Sequence, residues 1–232
     1  MSKQAQNTFL QLASTAQLIN ETRGSNAKIK ICAEYFRSLE TDEDLQRAAR
    51  FLGEGPFSDI SGKRASVGSR TYSTLAADLC EIDYEKVFKP SKTATGSSSE
   101  TIEKLFNNIP EAKAKWDPKN LSLEEVEVIY DALYSVSSRV DKQKVLTDAW
   151  IQMTPLEVKY FLRIMGRGSL RIGFESKSIV SSIAKAFKHK VDEVRYVHMI
   201  TGSIGKTAVL AKNNQLEEAK FTLFQPIAFM LA

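Results

Sequence analysis

The chain has little of the chemistry from which catalytic or metal centres are built. It holds 2 histidines and 2 cysteines among 232 residues. His189 and His198 stand without cysteines or paired carboxylates at ligand spacing, which argues against a zinc site. With so few histidines and no serine elbow, a Ser-His-Asp arrangement is unsupported too. Gly205-Lys206-Thr207 invites a phosphate-loop reading, but the glycine required five places earlier is Ile200 and no strand precedes it. Cys32 and Cys80 each fall inside an apolar helical pattern and read as buried thiols, not as a disulfide or a metal pair. That usage suits a reducing compartment, so an intracellular location is expected, cytoplasmic or, in a eukaryote, nuclear. No apolar run approaches the ~20 residues needed to span a bilayer, and residues 9–19 are too mixed for a secretory segment. No membrane role is expected.

What is present describes a soluble globular chain with a real core: 43% hydrophobic and 26% charged residues. Net charge is only +4, which by itself implies nothing about nucleic acid. Its distribution is more informative. Residues 61–72 carry Lys63, Arg64 and Arg70 and no acid, and residues 163–188 carry six cations against Glu175 alone. Residues 120–135 carry Glu124, Glu125, Glu127 and Asp131 and no base, the simplest reading of which is a solvated helix face. One basic and one acidic face are expected.

Apolar residues recur at helical spacing almost throughout, and no alternating strand is found. The expected class is all-α, about a dozen helices in two pseudo-symmetric halves. Helix starts are well marked. Thr41 precedes three acids, Ser122 and Glu125 make a capping box, and Thr154-Pro155-Leu156-Glu157 combines a cap, a first-turn proline and an acid at the third position. Trp116 and Trp150 read as core. Lys89 to Ser99, KPSKTATGSSS, is the most disorder-like stretch and divides the chain.

The stretch on which a function turns is Gly166-Arg167-Gly168-Ser169-Leu170-Arg171-Ile172-Gly173. Leu170 and Ile172 can anchor in a core while the positions between them face out. Glycines allow close backbone approach, the helix expected near Ser176 offers N-terminal N–H groups, and arginine supplies a planar charged fork. Such a loop can grip a nucleic-acid backbone; it can equally be an ordinary helix connection with solvated arginines. A second basic loop, Lys63-Arg64 through Gly68-Ser69-Arg70, echoes it: Phe51-Leu52-Gly53, a loop, then Val67-Gly68 and a helix matches Ile164-Met165-Gly166, a loop, then Ile172-Gly173 and a helix. A third glycine-rich basic turn is Gly202 to Thr207.

Four segments in order resemble the N-terminal DNA-binding domain of ATP-dependent DNA ligases. They are Phe36-Arg37-Ser38-Leu39, then Tyr160-Phe161-Leu162-Arg163-Ile164 leading into Ser169-Leu170-Arg171-Ile172-Gly173, then Met199 to Gly205, and finally Phe224 to Ala232. The family carries an L-R-[IL]-G segment before a helix and a later P-[IL]-x-P-M-L-A segment, whose second proline is here Phe229. The resemblance implies an all-helical domain that binds duplex, nicked DNA from the minor-groove side without sequence preference. Arg171 and Gly173 match the DNA-contacting segment, and Arg167, Gly168 and Ser169 flank it. Lys63, Arg64, Gly68, Ser69 and Arg70 on the echoing loop, and Gly205, Lys206 and Thr207, are the further expected contacts. The implied organisation is one DNA-binding domain over 1–232: a half at about 1–89, a linker at 90–99, a half at about 100–220, and 224–232 opening an adenylation domain. The K-x-D-G motif bearing the nucleotide-binding lysine is absent. This chain alone is therefore expected to be a monomer that binds no cofactor and seals no nick. The full-length ligase would add adenylation and OB-fold domains and use ATP and Mg2+. The alternative is a helical protein–protein scaffold that binds no nucleic acid.

Overall fold

The computed structural model describes residues 7–65, 67–166 and 170–220, with Asp59 described by its backbone alone. Its described residues form thirteen α-helices and no strand, so the class is all-α. The only pairing of strand type among them is an isolated bridge between Thr8 and Ser122.

Helices start where side chains can satisfy orphan amides. Thr8 opens α1 (Phe9–Glu21) and Thr41 opens α3 (Asp42–Gly53), each accepting from an amide of the first turn. Ser122 and Glu125 form a reciprocal capping box for α8 (Leu123–Ser135), and Thr154 and Glu157 form another for α10 (Pro155–Met165). Between them lie α2 (Ser25–Ser38), α4 (Ser69–Leu79), α5 (Lys89–Thr95), α6 (Ser98–Asn108), α7 (Pro110–Ala114) and α9 (Arg139–Trp150). The chain closes with α11 (Ser176–Phe187), α12 (Val191–Thr201) and α13 (Ile204–Lys212).

The order repeats. α1 to α6 correspond to α8 to α13, with α7 between the two series. Thr8 and Ser122 cap the two opening helices, and the bridge between them places these equivalent points side by side, with the Phe9 N–H donating to Leu121 O at 2.7 Å. A seven-residue signature marks the other end. In Thr95-Gly96-Ser97 to Thr101 and in Thr201-Gly202-Ser203 to Thr207, the glycine is left-handed, at φ +72° and +60°. In each, the last threonine hydroxyl donates to the serine carbonyl at 2.8 Å and hydrogen-bonds the first threonine. Packing interleaves the two series. α13 lies on α3 as α6 lies on α10; α11 lies on α2 as α4 lies on α9; α8 lies on α3 as α1 lies on α10. Each opening trio thus packs on both the opening and the closing helices of the other series around one continuous core.

Trp150 is fully buried and Trp116 half-buried against Phe106. Cys32 and Cys80 are free buried thiols; burial pushes them up to about 12 and about 11, away from reactivity.

Two expectations need correction. Lys89 to Ser99 is not disordered: α5 occupies Lys89–Thr95, with Pro90 in its first turn and left-handed Gly96 closing it. Its polar residues serve the helix itself, since Ser91 donates to Val87 O and Thr93 to Lys89 O. Ser97, Ser98 and Ser99 are buried. The acidic run is not a purely solvated face either. Glu127 accepts from Arg47 Nε at 2.7 Å and from Arg50, both on α3, and Asp131 takes Lys63 at 2.8 Å.

Burial pushes the Glu127 carboxyl up, but the hydrogen bonds and charges of Arg47 and Arg50 outweigh it and hold the group below its ordinary value. A lowered folded value means stability that is complete above the unfolded pKa of ~4.3 and lost as pH falls through the folded one. The Glu127 contribution to unfolding free energy should therefore hold steady from neutrality to about pH 5 and decline below about pH 4. The decline should shrink in Glu127→Gln; an identical acid limb in urea melts of the variant would exclude this pair as its source.

Candidate functional site

The loop between α10 and α11 follows the alternation of its sequence. Leu170, Ile172 and Phe174 are buried, while Arg171 and Gly173 are exposed. Arg171 at φ +54° and Gly173 at φ +60° are both left-handed. For Gly173 the conformation suits the residue; for Arg171 it is strained and is kept by what surrounds it.

Two cations hold the loop from behind. Arg163, 7% exposed on α10, donates Nη1 to Leu170 O at 3.0 Å and Nη2 to Glu100 at 2.6 Å, with Nε 3.3 Å from Ser99 Oγ. Its guanidinium also lies over the Tyr160 ring. Lys28, from α2, donates Nζ to Ile172 O at 2.6 Å and to Gly173 O at 3.3 Å. A Cβ on Gly173 would stand 3.0 Å from that Nζ, a second reason for glycine.

Arg171 lies beside Tyr72 of α4. Burial raises the Tyr72 hydroxyl above its ordinary range, and its hydrogen bond with Ser98 and the charge of Arg171 oppose that rise. α4 begins at Ser69, directly after the first basic loop, so the Arg171 loop abuts the helix that this loop opens. A cleft of about 420 Å³ runs beside the loop, lined by Phe51 and Gly53 at the end of α3 and by Leu170, Phe174 and Lys177.

The other sequence candidates scatter. Arg167, Gly168 and Ser169 lie outside the described residues. Arg64, Gly68, Ser69 and Arg70 are exposed, and Arg70 covers the Tyr84 ring at 5.7 Å. Gly68 stands directly before α4, which no side chain caps. Lys63 is bonded to Asp131 and sits over Phe57 and Tyr134. On α13, Lys206 is exposed next to Gln46, but Gly205 and Thr207 are buried. A Cβ at Gly205 would come within 2.7 Å of Gln46 O, so this glycine lets α13 approach α3. Thr207 spends its hydroxyl on Ser203 O. Sequence reasoning passed over Lys28, Tyr72 and Ser98. Lys28 meets the loop across 144 positions of chain, and no local pattern signals that.

Among the described residues no group of three or more His, Cys, Asp or Glu is placed to hold a metal ion, and no helix is long and apolar enough to cross a membrane.

Residues 8–184 match the sequence profile of the family described as "DNA ligase N terminus". Similar proteins include a "Probable DNA ligase" of Koribacter versatilis, 29% identical over 95% of this chain and 37% of the relative. A "DNA ligase" of Methanothrix thermoacetophila is 28% identical over 97% of this chain and 40% of its own length. A "DNA ligase 2" of Methanosarcina acetivorans is 26% identical over 97% and 41%. The chain spans about two-fifths of the length of these three relatives.

Proposed function

The chain belongs to the DNA ligase N-terminus family, the N-terminal domains of ATP-dependent DNA ligases, and from that premise we propose that it binds duplex DNA without regard to sequence. The observation that carries the reading is Arg171: exposed, held in a left-handed turn between two buried anchors, and set beside the helix that the other basic loop opens. A ligase meets nicks in any sequence, so its contacts belong on phosphate and sugar and not on base edges. Arg171 with the backbone of Gly173 would meet the sugar-phosphate chain from the minor-groove side. Arg64, Gly68, Ser69 and Arg70 lie ahead of and within the first turn of the helix that Arg171 adjoins, and would extend the contact. Arg167, Gly168 and Ser169 would complete it. In the full-length ligase, further adenylation and OB-fold domains would supply the nucleotide-binding lysine and use ATP and Mg2+ to seal the nick. The present chain would position the duplex, as a monomer.

A protein-docking scaffold has less support, because Glu127 and Asp131 of the acidic run are already paired with Arg47, Arg50 and Lys63.

Fluorescence anisotropy with labelled nicked duplexes of unrelated sequence tests the proposal. Affinities should agree across sequences, and log K should fall linearly with log salt, by about 0.9 for each phosphate neutralised. Binding that ignores salt, or no binding alongside a stable protein partner, would favour the scaffold.

A further inference from the structure

A trans peptide unit points its C=O and the next residue's N–H in opposite directions. In the Arg171 loop, three carbonyls are turned toward cations: Leu170 O toward buried Arg163, and Ile172 O and Gly173 O toward half-buried Lys28. The N–H groups of Gly173 and Phe174, which follow the two carbonyls held by Lys28, are therefore turned the other way. Among the described residues neither has an acceptor. Backbone N–H groups presented together around a left-handed turn form a concavity suited to an anion.

Lys28 is half-buried on α2, and the packing of α2 on α11 brings it to the loop that precedes α11. Its ammonium is occupied by two carbonyl oxygens. We infer that Lys28 is a positioning residue for DNA binding: it holds the Ile172 and Gly173 carbonyls inward so that the Gly173 and Phe174 amides face a backbone phosphate. This rests on the duplex-binding reading above.

The repeat places a second lysine at the equivalent position. Lys28 is the fourth residue of α2, and Lys142 is the fourth residue of α9, the helix that corresponds to α2. α9 packs on α4 as α2 packs on α11, and Lys142 too is engaged with a partner. By the same placement, the inference extends to Lys142 as the positioning residue of the first basic loop.

The test uses this chain and a labelled nicked duplex over a range of salt, with thermal melting on the same samples. Lys28→Met should weaken binding about five- to twenty-fold, the effect of losing two charge-assisted bonds. The salt slope should stay that of the wild type, because the Lys28 charge is spent on carbonyls. Lys28→Arg should recover much of the loss, and Lys142→Met should behave like Lys28→Met. In amide exchange on the wild type, Gly173 and Phe174 should slow when duplex is added. A Lys28→Met slope reduced by about one would make Lys28 a direct phosphate contact and overturn the inference. So would unchanged affinity in Lys28→Met, or no slowing at Gly173 and Phe174, while duplex binding itself stood. A wild type that does not bind duplex at all would remove the underlying reading as well.

Discussion

Arg171→Ala should weaken duplex binding by about 1–3 kcal/mol, roughly five- to a hundred-and-fifty-fold, and by the same factor on every sequence. The uniformity follows from the contact being to phosphate, which carries no sequence information. The salt slope should also drop by about one, because one fewer counterion is released. Thermal melting of the same samples should separate this loss from any change in fold stability, since Arg171 is engaged within the fold as well. Arg171 is exposed, and alanine meets the same left-handed strain at φ +54° that arginine does. Arg171→Lys keeps the charge but loses the planar fork, so it should fall between wild type and alanine. An Arg171→Ala protein that binds unrelated duplexes with wild-type affinity and slope would remove the residue on which the functional reading stands.

Much of the fold was legible because it rests on local chemistry. Ser122 with Glu125 and Thr154 with Glu157 close the capping boxes their spacing implies. Leu170 and Ile172 are buried and Arg171 is not, as their alternation suggests. What composition and period do not carry is the identity of a partner. Lys89 to Ser99 looks disordered because it is short of apolar residues. It is ordered because α5 packs on α6 and because Ser97 to Ser99 are buried, Ser99 against Arg163 from far along the chain. The α8 acids looked solvated because nothing in 120–135 says that α3 will bring Arg47 and Arg50 against them. Gly205 stood in a basic glycine turn and drew a ligand-binding expectation, whereas the structure uses it to bring α13 within reach of the Gln46 carbonyl. A glycine that admits a ligand and one that admits another helix look alike in sequence, because both need only the missing Cβ. The interleaving of the two series is long-range in the same sense: each pairing of helices was open until the packing closed it.

Arg163 joins stability to function, and its loss should weaken both the fold and the loop it braces. Its side chain is 4% exposed and serves the Leu170 carbonyl, the Glu100 carboxylate and Ser99 together. Breaking a fully buried ion pair costs ~3–5 kcal/mol, chiefly through the charge left behind. Glu100 is 36% exposed and can turn to water, so Arg163→Met should cost about 2–4 kcal/mol, the remainder arising from the orphaned Leu170 carbonyl and the emptied space beside Tyr160. Urea unfolding followed by the fluorescence of buried Trp150 measures this, and the m-value should stay at its wild-type level. Arg163→Lys should rescue little, since an ammonium cannot present a planar fork to three acceptors set around it. The variant that remains folded should also bind duplex more weakly at an unchanged salt slope, because the Leu170 carbonyl is then free to turn and the left-handed setting of Arg171 loses its support. If Arg163→Met unfolds within ~0.5 kcal/mol of the wild type, the guanidinium is not what braces the loop, and the strained backbone of Arg171 must be held by Lys28 and by the packing of Leu170, Ile172 and Phe174.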